Sequence, residues 1–158
     1  MKKIYLFLLV AVAFSCSGDD SVSGSVLKFG ATTFEPTQDP SDITLIHTTS
    51  SDIDFYTFDI SAQDDTDSNF HRISFSVSRD DGKPVSGTYK LSNNAGGAYY
   101  ENNKQYDFGI NGSITIKHLG NERYKIVFNN AKCYLETDYS QTVIGKGTFT
   151  GQFQRFDF

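Results

Sequence analysis

Apolar and polar residues alternate with a period of two along most of the chain after Val26, and this alternation restricts the fold more than any other feature. A period of two is typical of β-strands with one buried and one exposed face. Between residues 70 and 79, for example, Ile73, Phe75 and Val77 alternate with three serines. No stretch combines helical periodicity with capping residues. We therefore predict an all-β fold.

Turn signals divide this sequence into about eight or nine short strands. Asp81-Gly82, Asn111-Gly112 and Gly120-Asn121 contain residues that tolerate the positive φ of hairpin turns. This spacing predicts a single antiparallel β-sandwich or small barrel with meander and hairpin connections. The predicted core contains apolar residues that share the inward parity of their strands: Phe58, Phe75, Phe108, Ile116, Ile126 and Phe149.

The parity of the apolar residues also predicts the register of two hairpins. A three-residue loop ending at Gly112 would place Phe108 beside Ile114, whereas a two-residue loop would put them on opposite faces. The same argument requires an odd loop around Gly120. The apolar phase slips by one residue after the strand that follows, which predicts a β-bulge at Asn129-Asn130.

The first 15 residues have the composition of a secretory signal peptide. Lys2 and Lys3 precede an apolar run of 11 residues, Ile4 to Phe14. Spanning a bilayer takes about 20 residues, so this run is too short to be a stable membrane helix. Cys16 follows two residues after the run ends.

The segment Ala13-Phe14-Ser15-Cys16 resembles the lipobox of bacterial lipoproteins, whose cysteine becomes the acylated N-terminus. The resemblance implies a signal peptide at residues 1–15, a lipidated Cys16 with a flexible tether at residues 16–25, and one β domain at residues 26–158. Two or more acyl chains would anchor the chain durably, since each buried CH₂ contributes ~0.8 kcal/mol. The alternative is an ordinary secreted protein in which Cys16 is removed or left free.

The acidic segment Ser17-Gly18-Asp19-Asp20 is similar to the signal that sends some Gram-negative lipoproteins to the outer surface. The resemblance implies an outer-membrane location with surface exposure, and the membrane as a partner through the N-terminal lipid. Farther along, the strand motif Gly-x-Phe-x-Gly-x-Phe at residues 147–153, Gly87-Thr88-Tyr89 and Tyr99-Tyr100 resemble a group of small β-rich lipoprotein domains of unknown function. Because these are packing motifs, they imply fold and setting but no activity.

The charge of the mature chain limits its partners. Removing residues 1–15 takes two of the 14 basic residues, which leaves 12 against 19 acidic ones and a formal charge of −7. Nucleic acids and anionic lipid surfaces both require a basic footprint, so we expect neither as a partner.

Residues that could carry catalysis do not form a recognisable pattern, and we expect no catalytic residues and no cofactor. His47, His71 and His118 share no metal-ligand spacing, and we interpret all three as solvated or rim residues. Cys133 is predicted to be a small buried residue. We expect no metal site; the alternative is a weak surface calcium site formed by Asp65, Asp67 and Asn69.

The segment from 92 to 106 is the candidate binding site. It combines asparagines and two glycines with tyrosines, which on a loop supply aromatic area and amide hydrogen bonds. The candidate ligand-binding residues are Tyr99, Tyr100, Asn102 and Asn103, and a glycan would suit them. The alternative is that one of the two adjacent tyrosines packs inward and the rest is a polar loop.

Two classes of function remain open, with an enzyme a distant third. The first is a non-catalytic binding or accessory lipoprotein that contacts a glycan or a protein. The second is a lipocalin-like carrier barrel, which would need an empty cavity lined by Phe58, Phe75, Phe108 and Phe128. The sequence names neither ligand nor partner.

Overall fold

The structure, a computed structural model, describes residues 25–36, 39, 42–63, 70–80, 82, 84–92 and 95–158. These ranges contain twelve strands and no α-helix. The strands are β1 (Val26–Phe29), β2 (Thr32–Phe34), β3 (Ile43–Ser50), β4 (Ile53–Gln63), β5 (Phe70–Asp80), β6 (Gly87–Lys90), β7 (Ala95–Glu101), β8 (Lys104–Phe108), β9 (Ser113–Gly120), β10 (Arg123–Leu135), β11 (Asp138–Gln152) and β12 (Gln154–Asp157). The predicted all-β fold is confirmed. The predicted number of strands is too low; β7, for example, lies in a segment whose composition indicates a loop.

All twelve strands belong to one mixed sheet. Its order is β12-β3-β4-β5-β7-β8-β10-β11-β1-β2, and β9 pairs with both β10 and β6. Every pairing is antiparallel except that of β12 with β3, which is parallel. The sheet is not closed into a barrel. The parallel pairing of β12 with β3 corrects the prediction that all strands are antiparallel, and the open sheet corrects the alternative of a barrel.

The sheet folds over so that its two halves enclose a core of aromatic rings. Phe58 of β4 packs edge-on against Tyr124 of β10 at 5.5 Å, and Phe75 of β5 packs edge-on against Phe128 at 5.5 Å. Of the six predicted core residues, all but Phe108 are at most 1% exposed. Phe108 packs against the core but is only partly buried.

The predicted bulge in β10 is confirmed, whereas the odd loop predicted around Gly120 is replaced by an even turn with a bulge. Around Gly120 a two-residue turn is followed by a register shift, so that Ile126 faces Ile116 as parity requires. In β10 the pairing with β11 shifts between Phe128 and Ala131, and Asn130 has a φ of 52°. A one-residue bulge restores the inward direction of the apolar residues after it.

The predicted hairpin around Gly112 is wrong. β8 and β9 both pair with β10, at different parts of its length: Phe108 faces Cys133, whereas Ile114 faces Phe128. The long strand β10 has room for two short partners on one side, so the chain crosses between them instead of turning back. Gly112 takes a φ of 104° at this crossing, a conformation that favours glycine.

Two glycines of β11 leave space for aromatic rings. A side chain on Gly145 would overlap the ring of Phe29, and one on Gly151 would overlap Phe149. In the sheet, β11 lies between β10 and β1.

The strand directions define two ends of the molecule. The β7–β8 turn at residues 102–103 and the β10–β11 turn at residues 136–137 lie at one end, which we call the hairpin end. Ser25 and, beyond it along the course of β11 and β12, the C-terminal end of β12 and the β3–β4 turn at residues 51–52 lie toward the other, which we call the Ser25 end. This arrangement follows from the antiparallel pairing of β1 with β11 and the parallel pairing of β12 with β3.

Candidate functional site

A groove at the hairpin end lies between the β7–β8 turn and the β10–β11 turn. Its volume is about 360 Å³, and its lining residues are Tyr100, Asn102, Asn103, Lys104, Gln105, Leu135, Glu136 and Thr137. We call it the hairpin groove. The backbone N–H of Glu136 donates a 2.9 Å hydrogen bond to the carbonyl of Gln105, which joins the two turns.

Residues 95–106 form a tight hairpin rather than the loop that the composition of the segment from 92 to 106 predicts. β7 and β8 pair right up to the turn, which consists of Asn102 and Asn103. Asn102 has a φ of 53°, in the left-handed region that asparagine tolerates. Its N–H donates to the carbonyl of Phe70 at 2.9 Å, and its side-chain oxygen accepts from the N–H of Phe70 at 3.1 Å. These bonds fix the turn against the start of β5.

The chemistry of the hairpin groove suits a neutral polar ligand. Tyr100 contributes a partly exposed ring, and the guanidinium of Arg72 lies 5.9 Å from the centre of that ring. The exposed turn residue Asn103 contributes an amide. Lys104 and Glu136 contribute one charge of each sign, so their charges cancel. An aromatic face beside amide groups is typical of adaptable binding surfaces.

Tyr99 belongs to the core and not to the candidate site. Its side chain is fully buried and stacks on Phe29, with ring centres 4.4 Å apart. Burial raises the pKa of its hydroxyl group well above the usual value. The proposed contact of Tyr99 with an external ligand is therefore wrong, because strand alternation sends it inward and its neighbour Tyr100 outward.

His71 is buried, which corrects its interpretation as a solvated or rim residue. Its ring stacks on Phe34 at 4.9 Å, and Nδ1 lies 3.0 Å from the Tyr99 hydroxyl. The signal was present in the sequence, since His71 has the same parity as the inward residues of β5. His118, in contrast, is exposed and stacks on Tyr124, so its interpretation as a rim residue is confirmed.

A second cluster, centred on His47, was missed by the sequence reasoning. His47 lies between two carboxylates, with Nε2 3.1 Å from Asp54 and Nδ1 2.9 Å from Asp157. Arg155 binds Asp157 at 2.8 Å and Glu122 at 3.3 Å. The parity of β4 gives one clue, because Asp54 shares the inward face with its apolar neighbours. The approach of β12 is non-local and has no sequence signal.

Hydrogen bonds determine the electrostatics of this cluster. The buried Asp54 accepts from the Thr49 hydroxyl at 2.7 Å and from the N–H of Gly82 at 3.2 Å. The Thr49 bond, followed by the His47 bond, lowers the pKa of Asp54, and the bond with His47 is the main cause that lowers the pKa of Asp157. The two ring nitrogens of His47 face one carboxylate each, and Nδ1 also lies 3.3 Å from the Arg155 guanidinium. The cluster therefore attaches β12 to β3 and β4.

Cys133 is fully buried, as predicted, and its Sγ lies 3.5 Å from the carbonyl oxygen of Ala131. Burial raises the pKa of the thiol to about 12. A thiol with this pKa is protonated at neutral pH, and the thiolate is the nucleophilic form.

Several predicted site residues lie outside the described residues. They are Cys16, Asp65, Asp67 and Asn69. Within the described ranges, no group of three or more His, Cys, Asp and Glu side chains is arranged to hold a metal ion. The same ranges contain no helix of the length and apolar character needed to span a membrane.

Comparison with family models, with curated proteins and with solved structures gives no significant match for this chain.

Proposed function

We propose that this chain is a lipid-anchored, non-catalytic binding or accessory lipoprotein exposed at the surface of a Gram-negative outer membrane, and that the hairpin groove is its ligand site. The observation that carries the proposal is the position of the groove. It lies at the opposite end of the strands from Ser25, where the chain from Cys16 enters the described domain. A domain anchored through that segment can present the groove away from the membrane.

The ligand that best fits the groove is neutral and rich in hydroxyl groups, as a glycan is. The ring of Tyr100 offers a stacking face, and amide side chains offer both donors and acceptors. The balanced pair of Lys104 and Glu136 gives no advantage to a polyanion, and the acidic mature chain repels one. Stacking and amide hydrogen bonds should also make binding depend only weakly on salt.

The carrier alternative has less support. It needs an open interior beside four phenylalanines, but their rings pack on one another. Phe58 stacks on Phe75 at 5.1 Å, and Phe128 contacts Phe75 at 5.5 Å and Phe108 at 6.3 Å. Rings at these distances fill the space between the halves of the sheet.

The test compares Tyr100→Ala with Tyr139→Ala on a glycan array. Tyr139 is 64% exposed and does not line the groove, so it controls for the loss of a surface tyrosine. Removal of a stacked aromatic should cost ~2 kcal/mol or more, which is about thirtyfold in affinity. Tyr100→Ala should therefore lose binding that Tyr139→Ala retains.

The melting temperatures of both variants must match that of the wild type for this comparison. Equal binding by wild type and Tyr100→Ala would remove the groove from the proposal. Loss of binding in both variants would show that the site is not specific to the groove. A second groove variant, Asn103→Ala, should weaken binding without touching the aromatic contact.

A further inference from the structure

The outer face of the sheet at the Ser25 end has an uncharged patch across β12, β3 and β4. Its side chains occupy neighbouring positions that contain no charge: Ile46, Thr48, Phe55, Thr57, Phe156 and Phe158. We call these residues the uncharged face. In the register of the sheet, Phe156 lies beside Ile46 and Phe55 lies beside Thr48. Alternation along the strand directs Phe158 to the same side as Phe156.

The aromatic residues of the uncharged face are unusually exposed. Phe55 is 37% exposed, Phe156 40% and Phe158 82%. Nearby, Ile53 at the start of β4 is 40% exposed. A contiguous apolar patch on a protein surface commonly marks a contact with another protein or with a membrane. The patch is notable in a chain with 33 charged side chains, 14 basic and 19 acidic.

The entry point of the chain indicates which partner covers this face. Ser25 Oγ donates to the carbonyl of Thr150 at 3.1 Å and accepts from its N–H at 2.9 Å. β12 begins four residues after Thr150. Because β1 runs antiparallel to β11, its N-terminal end at Ser25 points in the direction in which β11 continues toward β12. The uncharged face therefore lies beyond Ser25 in the direction away from the hairpin end.

The lengths involved are compatible with contact at the bilayer. The chain from Cys16 to Ser25 spans at most about 30 Å when fully extended. Phe156 lies six residues beyond Thr150, which is about 20 Å along a strand. An acylated Cys16 can thus reach the bilayer while the uncharged face rests on it.

We propose that the uncharged face binds the surface of the bilayer that holds the N-terminal lipid, with the phenylalanines at the boundary between headgroups and acyl chains. The inference rests on the lipid anchoring proposed above. Apolar burial drives this contact, because the side chains of the face carry no charge and the chain as a whole is acidic. The contact orients the domain so that the hairpin end points away from the membrane.

The absence of tryptophan from the chain provides a direct test. Single-tryptophan variants of the full-length acylated protein, Phe156→Trp and the control Tyr139→Trp, are placed in phosphatidylcholine vesicles with brominated acyl chains. Residue 139 follows the β10–β11 turn at the hairpin end. An interfacial side chain sits ~5–10 Å into the boundary, so Phe156→Trp should lose about half or more of its emission while Tyr139→Trp keeps its emission. Phe55→Trp on β4 should behave like Phe156→Trp, so a local distortion of β12 does not decide the outcome.

Each other outcome contradicts the inference in a recognisable way. Weak and equal quenching of all three reporters on vesicle-bound protein would show that the domain stands off the bilayer, and lipid anchoring would survive. Failure of the acylated wild type to sediment with vesicles would overturn both the anchoring and the inference. Shielding of the Phe156→Trp reporter that grows with protein concentration in the absence of vesicles would show that a second copy covers the face, and would overturn the bilayer as its partner.

Discussion

Tyr99 and Tyr100 show how one step along a strand separates a core residue from a candidate ligand contact. Alternation requires that two adjacent strand residues point to opposite faces, so the sequence alone predicts that one of the pair is buried. Which one is buried depends on the register of β7 with β5, where Tyr99 faces Ile73. That pairing joins residues far apart in sequence and has no local signal.

At the residue scale, we predict that Phe75→Ala is more destabilising than Phe108→Ala. Phe75 is 1% exposed and contacts both Phe58 and Phe128, so its removal should cost ~3–5 kcal/mol in the free energy of unfolding. Phe108 is only partly buried, so its truncation to alanine should lower the free energy of unfolding by less. Chemical denaturation measures both free energies, provided that the slope of the free energy of unfolding against denaturant concentration is the same for each variant as for the wild type. A smaller loss for Phe75→Ala than for Phe108→Ala would contradict the packing described for the core.

At the scale of elements, β12 depends on ionic contacts more than on burial. All four of its residues are exposed, whereas neighbouring β3 contributes fully buried residues to the core. Asp157 and Arg155 join β12 to His47 and to Glu122. A strand held in this way should respond to pH, because its attachment depends on ionised carboxylates.

We predict that Asp54→Asn lowers stability near pH 7 and that its difference from the wild type shrinks under acid. Hydrogen bonds, that of Thr49 first, lower the pKa of Asp54 below its ordinary value of 3.8. A carboxylate of this kind stabilises the fold above the pKa of the unfolded chain, and its contribution disappears as the pH falls through the lower folded pKa. The melting temperatures of both proteins between pH 7 and pH 3 measure this difference.

Thr49→Val is the matched variant for this prediction. It removes the bond that contributes most to lowering the pKa of Asp54, so the acid loss of stability should move to higher pH. A constant difference between the wild type and Asp54→Asn across the whole pH range would mean that ionisation of Asp54 does not stabilise the fold.

At the scale of the whole molecule, the two ends of the sheet have different chemistry. The hairpin end contains polar and charged turn residues around a groove. The Ser25 end contains the uncharged face and the entry of the chain. This difference between the two ends agrees with the proposal that the domain contacts a membrane at one end and binds a ligand at the other.

We predict that Cys16→Ala releases the protein from membranes. The apolar run that ends two residues before Cys16 supports the proposed cleavage there, and acyl chains on that cysteine would supply the affinity for the bilayer. Metabolic labelling with a palmitate analogue measures the acylation of Cys16, and fractionation of membranes measures the release of the variant. An unlabelled wild type with its N-terminus elsewhere would contradict it, and a Ser17→Ala variant should behave like the wild type.

The sequence by itself determined the properties that depend on neighbours along the chain. Its period of two predicted the strands and most of the inward residues, and its phase slip located the bulge near Asn130. Only the tertiary structure decided the parallel pairing of β12, the burial of Tyr99 and the meeting of Tyr100 with Glu136 and Thr137 in one groove. Strand alternation is a local property of the backbone, whereas pairing partners are selected by the packing of the whole core.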